Sequence, residues 1–400
     1  MTEWRKYYFK DIFQIIDGDR GVNYPKQSDL YSEGFCLFLN TGNVTSSGFN
    51  FEKNQFITKE KDKMLRKGKL RRGDIVFTTR GTVGNVALYD DSIPYENIRI
   101  NSGMVILRTN ESVANKEFIF QILKSNYKKK LISPFISGSV QPQLPIKDLK
   151  EISLPLPPLP EQKAIAEVLS SLDDKIDLLT RQNKTLEDLA QVYFRKWFIE
   201  DASDKWEVGK AEDYFEIGIG KTPPRKEEYW FSKNKNDVVW VSISDMGKSG
   251  MFIGDSSEYL TKDAVKQFNI KCVPKGAILL SFKLTVGRVA IALRELTTNE
   301  AIAYFKYRNI FEREYLYFYL KMFDYYSLGS TSSIAIAVNS KIIKAMPIVM
   351  PDIETLKKYH VVASPLFSKI EANTKQIVVL QKLRDTLLPK LISGEIRTKM

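Results

Sequence analysis

Two stretches of the chain, KIDLLTRQNKTLEDLAQVYFRKWFI at 175–199 and KIEANTKQIVVLQKLRDTLLPKLIS at 369–393, align without a gap at an offset of 194. Around the first, Ile165, Leu172, Leu179, Leu186 and Tyr193 recur every seven residues, and Val168, Leu169, Ile176, Leu189 and Trp197 fill the same face. No Gly or Pro interrupts the run from Ala164 to Trp197. A heptad apolar repeat of this length predicts a coiled-coil seam. In the second copy Leu366, Leu380 and Leu387 hold the seam, with Ile370, Ile377, Leu383 and Leu391 beside it. Asn373 and Arg384 interrupt it, and polar seam residues fix register or partner. Helices of about 35 residues make rods of roughly 50 Å, too long for the core of a small domain. The reading is a spacer whose two copies pair antiparallel.

Outward from these helices the chain keeps repeating. LRRGDIVFTTRGTVGNVALYD from Leu70 matches VPKGAILLSFKLTVGRVAIAL from Val273: Gly73 aligns with Gly276, Thr82-Val83-Gly84 with Thr285-Val286-Gly287, and Val86-Ala87 with Val289-Ala290. Trp4, Asp11, Phe13 and Ile15 match Trp206, Asp213, Phe215 and Ile217, and Asn101 pairs with Asn299. Every offset is near half of the 400 residues. The chain therefore reads as two copies of one unit, a globular part followed by a long helix. Segments 20–65 and 218–270 share almost nothing, as expected of a common scaffold with divergent loops.

The globular parts are mixed α+β. DIVFTT, NVALYD and MVILR in the first copy, and VVWVSI, AILLSF and RVAIAL in the second, are strands bounded by turns. KEFIFQILKSNYKKKL and EREYLYFYLKMF are helical. LPLPPLPEQ at 154–162 and AMPIVMPDIE at 345–354 are expected to break secondary structure and end the globular parts.

Composition removes many function classes. There is no run of about 18 apolar residues to span a membrane and no apolar secretory h-region at the start. Cys36 and Cys272 lie far apart, which excludes a disulfide framework and points to the cytoplasm. One histidine, His360, in the Lys-rich KKYHVV, leaves too few ligands for an ordinary His/Cys zinc site, and its plain reading is a helix-surface or interface residue. Gly220-Lys221-Thr222 resembles the end of a phosphate-binding loop, but Phe215 stands where the first glycine is needed and Pro223-Pro224 follow. Thr222-Pro223-Pro224-Arg225 lacks the residues of an amino-methyltransferase tetrapeptide. Pro351-Asp352, Glu354 and Lys357 are too tightly spaced for a nuclease carboxylate set. No catalytic residue, cofactor-binding residue or metal ligand is assigned.

Binding chemistry is richer. The net charge is +12. Residues 1–150 carry 24 basic and 16 acidic side chains, 201–350 carry 21 and 18, and 151–200 carry 6 and 9, so positive charge gathers on the globular parts. Any single Lys run can be a solvated face; the partition between segments favours a polyanionic partner. The candidate DNA contacts are Lys53, Lys63, Arg66, Lys67, Lys69, Arg71, Arg72, Thr79, Arg80, Thr82 and Lys128, with Thr78 beside them. In the second copy they are Lys221, Thr222, Arg225, Lys226, Ser281, Lys283 and Arg288. Arg and Lys suit phosphates and guanine edges.

The two-copy layout, LPLPPLPEQKAIAEVLSSLDDKID followed by QNKTLEDLAQVYFRKWF, the opening GIGKTPPRKEEYWF with VVWVSISDM, and the ending LRDTLLPKLISGEIR together resemble the specificity (S) subunits of type I restriction–modification systems. The resemblance implies two pseudo-repeated target-recognition domains, at 1–155 and 202–350, and two long antiparallel coiled-coil helices, at 156–201 and 351–400. Each domain would read one half of a bipartite double-stranded DNA target. The helices, through Ile165, Leu172, Ile176, Leu179, Leu186, Tyr193, Trp197, Leu366, Ile370, Ile377, Leu380, Leu387 and Leu391, would set the gap and dock two modification (methyltransferase) subunits. Restriction (translocase/endonuclease) subunits would complete the complex, with S-adenosylmethionine, ATP and Mg on the partners. The second copy departs from the pattern in having Asp352 and Ile353 where the first has Glu161 and Gln162 after proline. The alternative is a coiled-coil scaffold or RNA-binding adaptor that stacks bases on Tyr315, Tyr317, Tyr319, Tyr325 and Tyr326. A nuclease or methyltransferase within the chain is disfavoured by the missing motifs.

Overall fold

The structure, a computed structural model, describes residues 4–138, 141–328 and 339–397. It divides into two compact units, Met1–Ile176 with Leu380–Met400, and Asp177–Val379. The division falls inside both long helices, Leu159–Arg195 and Ile353–Ile392. Each unit thus contains one globular part and a piece of each helix.

In the first unit, Phe13–Asp17, Met104–Thr109, Ile75–Thr78 and Val86–Leu88 form a four-stranded antiparallel sheet in that spatial order. Arg5–Tyr8 pairs with Ser153–Leu156. A smaller sheet orders Phe56–Ile57, Cys36–Leu39 and Ile98–Ile100, the last two parallel. Helix Lys116–Lys124, capped where the Phe118 N–H donates to Asn115 Oδ1 at 2.8 Å, buries Phe118, Ile119 and Ile122 in the core with Ile75, Phe77 and Leu107.

The second unit repeats this plan. Glu216–Ile219, Ile302–Lys306, Ile278–Ser281 and Val289–Ala292 follow the same order, with Phe252–Ile253 added at the edge. Register is kept: Leu107 stands between Ile15 and Ile75, and its counterpart Phe305 between Ile217 and Ile278. Glu207–Lys210 pairs with Pro347–Met350. Helix Arg313–Met322 buries Tyr315, Tyr317 and Phe318.

Two expectations about the globular parts are corrected. The Pro-rich segments are not breaks. Each supplies a terminal strand, Ser153–Leu156 or Pro347–Met350, and the long helix starts almost at once, at Leu159 or Ile353. Proline is tolerated in a first helical turn, where its missing N–H would have no partner. Segments 20–65 and 218–270, so unlike in sequence, also fold alike. Phe56–Ile57 and Tyr259–Leu260 pair antiparallel with the equivalent strands Cys36–Leu39 and Val238–Val241. Thr58 and Thr261 then cap equivalent helices, Lys59–Met64 and Lys262–Gln267, each hydroxyl accepting a backbone N–H at 3.2 Å.

The long helices run antiparallel within each unit. In the first, Ile165, Ala166 and Leu169 join Leu388, Leu391 and Ile392 in one core, and Arg384 donates to Asp173 at 2.8 Å. In the second, Ala190 and Phe194 pack with Tyr359, Ala363, Phe367 and Ile370. Asn373, 1% exposed, donates to Gln182 and Asn183, both at 2.9 Å. Both polar interruptions of the seam are therefore satisfied across it. Ile165, Ile176, Leu179, Ile370 and Leu391 are buried, and Leu172, Leu186, Trp197, Leu366, Ile377, Leu380 and Leu387 half-buried. Tyr193 is corrected: it lies exposed, with Phe194 buried in its stead, and Val168, Leu189 and Leu383, expected on the same face, are exposed as well. A straight helix drifts about 20° per heptad against a strict seven-residue repeat, so after four heptads the inward position has moved on by one.

Candidate nucleic-acid interface

The two units present one loop built twice, at residues 78–85 (TTRGTVGN) and 281–288 (SFKLTVGR). Each joins the third and fourth strands of the conserved sheet order. The Thr78 hydroxyl donates to the Thr82 carbonyl and accepts the Asn85 N–H at 2.9 Å. The Ser281 hydroxyl donates to the Thr285 carbonyl at 2.5 Å and accepts the Arg288 N–H at 3.0 Å. In both, the glycine that follows Thr-Val returns its N–H to the first residue's carbonyl at 2.9 Å, from Gly84 to Thr78 and from Gly287 to Ser281. These glycines have φ of 91° and 90°, a left-handed conformation that an L side chain rarely adopts.

Inside this shared frame the tips differ. Arg80, Gly81 and Thr82 are exposed in the first unit, and Lys283, Leu284 and Thr285 in the second. Gly81 has φ 70°, and Leu284 holds φ 61° with its side chain 96% exposed. A left-handed backbone costs a non-glycine residue about 1–2 kcal/mol.

Several sequence candidates turn inward. Thr79 is buried, its hydroxyl donating to the Gly103 carbonyl at 3.1 Å, and Ser281 is fully buried in the loop. Neither can reach a base edge from there; the loop uses them internally. Lys128 is half-buried with its ammonium on the Gly84 carbonyl. Burial and then neighbouring Lys129 push its pKa down. It braces the loop, while Lys129 and Lys130 stay exposed. Half-buried Arg288 donates to the Ile243 carbonyl at 2.6 Å.

A second basic surface follows helix Lys59–Met64. Buried Arg99 organises it, donating from Nε to Asp62 Oδ1 at 2.6 Å and to the carbonyls of Asp62, Leu65 and Lys67 at 2.7–2.9 Å. Lys69 closes on the other Asp62 oxygen at 2.6 Å. Burial alone would raise the Asp62 pKa, but the Lys69 and Arg99 hydrogen bonds outweigh it and bring it below the ordinary value. Asp19 clamps the same loop, accepting the Arg66 and Gly21 N–H groups, each at 2.7 Å. The clamps leave Lys63, Arg66 and Lys67 exposed; Lys53 and Arg71 are exposed as well. Arg72 is also exposed, yet held over the Tyr89 ring at 4.2 Å and donating to the Ile93 carbonyl at 3.0 Å. Sequence reasoning missed Asp19, Asp62 and Arg99; acids within a basic run, and an arginine inside an apolar strand, were the available signals.

In the second unit Lys221 donates to the Phe268 carbonyl at 2.8 Å, and Thr222 donates to Glu300. The Arg225 guanidinium lies 4.2 Å from the Phe231 ring centroid and 4.6 Å from that of Trp240, with Glu258 at 2.6 Å. Lys226 is exposed. Of the tyrosines considered as stacking platforms, Tyr315, Tyr317 and Tyr325 are buried and Tyr319 half-buried, leaving only Tyr326 of the five exposed. His360 is half-buried, its Nδ1 at 2.8 Å from the buried Glu314 carboxylate and its ring edge-on to Phe311. Burial first, then Asp62, pushes the Cys36 thiol up to about 12, so it is not a ready nucleophile. Among the described residues, no group of three or more His, Cys, Asp or Glu could hold a metal, and no helix is long and apolar enough to cross a membrane.

The type I restriction modification DNA specificity domain matches the chain twice, over residues 1–188 and 203–382. The chain is 30% identical over 352 residues to the type I restriction enzyme MjaIX specificity subunit of Methanocaldococcus jannaschii, covering 82% of this chain and 78% of that one. It is 24% identical over 477 residues to the HindI specificity subunit of Haemophilus influenzae, with 99% and 100% covered. The crystal structure of a type I restriction–modification system S subunit from M. genitalium shares the fold at a TM-score of 0.54, with 18% identity and 99% and 96% covered. The twofold match falls on the two copies that share the loop and the sheet order, and the chain belongs to the type I restriction modification DNA specificity family.

Proposed function

We propose that this chain is the DNA-recognition component of a type I restriction–modification complex, each unit reading one half of a bipartite duplex target. One observation carries the reading: the two loops share every internal hydrogen bond described above, yet present Arg80-Gly81-Thr82 in one unit and Lys283-Leu284-Thr285 in the other. A common frame with exchanged tips is what reading two different half-sites requires. The exposed Lys63, Arg66 and Lys67 of the first unit would contact phosphates and fix orientation.

The paired helices would set the gap between half-sites and dock two modification subunits. Exposed apolar residues along them, including Leu189, Val192, Val361, Val378 and Val379, offer surface for such partners. S-adenosylmethionine would be bound by the modification subunits, and ATP and Mg by the restriction subunits. The complex would work on chromosomal DNA in the cytoplasm.

The test is to express the chain with its modification subunit and map methylated adenines. One split, asymmetric motif is expected. Removing equal numbers of helical turns from both long helices should then change the gap and leave the half-sites alone. Absence of any split motif, or altered half-sites with an unchanged gap, contradicts the reading.

A further inference from the structure

Leu284 has no structural reason to be where it is. Its side chain is 96% exposed, so burial does not hold it, and its backbone has φ 61°, where glycine would be at ease. The first unit has that glycine: Gly81, φ 70°, in a loop that shares the hydroxyl and glycine hydrogen bonds. The strain in the second unit is thus tied to the presence of a side chain at the tip. Exposed Lys283 and Thr285 flank it. A lone apolar side chain between polar neighbours is too small for a stable protein–protein contact, which buries about 800 Å² on each partner. In the grooves of a duplex, one apolar side chain suffices, against a thymine methyl or as a wedge at a base step.

Resting on the DNA reading above, we infer that Leu284 is a specificity-determining contact of the second unit, an apolar probe that meets base surface in its half-site while Lys283 holds the adjacent phosphate. The first unit, with Gly81 in that place, makes no equivalent contact. The two half-sites are therefore read by different chemistry at the same point of the loop.

The experiment uses the full chain assembled with its modification subunits. The wild-type methylated motif is mapped first. L284G and L284N are then compared, both compatible with a left-handed backbone. The expected result is an unchanged or raised Tm, a loss of about tenfold in affinity for the cognate duplex, and relaxed specificity in one half of the motif only. Variants that bind the cognate duplex within twofold of wild type would overturn the contact, provided the wild type methylates a split motif. If the wild type methylates none, the DNA reading itself fails. Loss of modification subunits from L284N on size exclusion would assign Leu284 to a protein interface and overturn the proposal.

Discussion

The turn after helix Lys59–Met64 is held by charge; its counterpart after helix Lys262–Gln267 is held by apolar packing. In the first unit the clamp is Asp62 with Arg99, the latter on the strand paired parallel to Cys36–Leu39. At the same two places the second unit has Val265 and Thr297, where Thr297 donates to the Val239 carbonyl at 2.9 Å. Trp230, Trp240, Leu260, Ala264 and Ile270 form the local core, with Phe268 packed on it. One backbone plan accepts either solution. The charged one leaves Lys63, Arg66 and Lys67 outward on a turn pinned by three carbonyl contacts. The apolar one spends its aromatic rings on packing and presents Arg225 across two of them. The repeat preserves the position of the turn, while its means of support and its surface have diverged together.

The largest expected effect comes from exchanging the supports. R99T, which installs the second unit's residue, leaves Asp62 buried with Lys69 and the Cys36 thiol as side-chain partners and orphans three carbonyls. It should cost on the order of 3–5 kcal/mol in the first unit. The double change D62V/R99T removes the buried charge as well and should recover a good part of that loss, measurable as the coupling in a double-mutant cycle by thermal or urea unfolding. If the double variant is less stable than R99T, the two supports are not interchangeable.

A smaller effect is expected from acid. The Asp62 pKa is lowered from 3.8 on folding. Its contribution is therefore present above the unfolded value and lost as pH falls through the folded one. Amide hydrogen exchange, corrected for intrinsic rates, should accelerate at residues 68 and 69, beyond the Arg66 amide that Asp19 holds, as pH falls below 3.8. Residues 269–272, with Val265 at the place of Asp62, should keep more of their protection. Equal acceleration in both turns would show that the carboxylate is not what distinguishes them.

What was legible in the sequence follows from the range of the interactions. The long helices show because a seam repeats along one element; the strands show because Val, Ile and aromatic residues alternate with Gly and Asn turns. Tyr193, misplaced by one position, reflects a drift that accumulates with length. The equivalence of 20–65 and 218–270 was hidden because the support of the turn changed from Asp62–Arg99 to Val265–Thr297, erasing identity while keeping backbone pairing. Candidate contacts failed where a distant partner decides orientation. Thr79 answers to Gly103, Lys128 to Gly84 and Arg288 to Ile243, each more than 20 residues away. Charge and residue type reveal that a surface is basic; only the partner reveals which side chains already have employment inside.

The smallest expected effect tests the loop tips reciprocally. A Cβ on Gly81 would meet nothing within 4 Å, so G81L places its side chain in open space and its cost is the left-handed backbone alone. That cost should be about 1–2 kcal/mol, read as a small fall in the stability of the first unit, with the internal hydrogen bonds of residues 78–85 retained by hydrogen exchange. G81A should show nearly the whole loss, because strain begins at Cβ and the remaining carbons add only solvent-exposed surface. If G81L is much worse than G81A, the leucine is colliding with neighbours and the two tips are not equivalent in geometry. If the two match, the loops accept the same side chain at the same price, and the placement of leucine in one tip and glycine in the other is a difference in what each tip touches outside the protein.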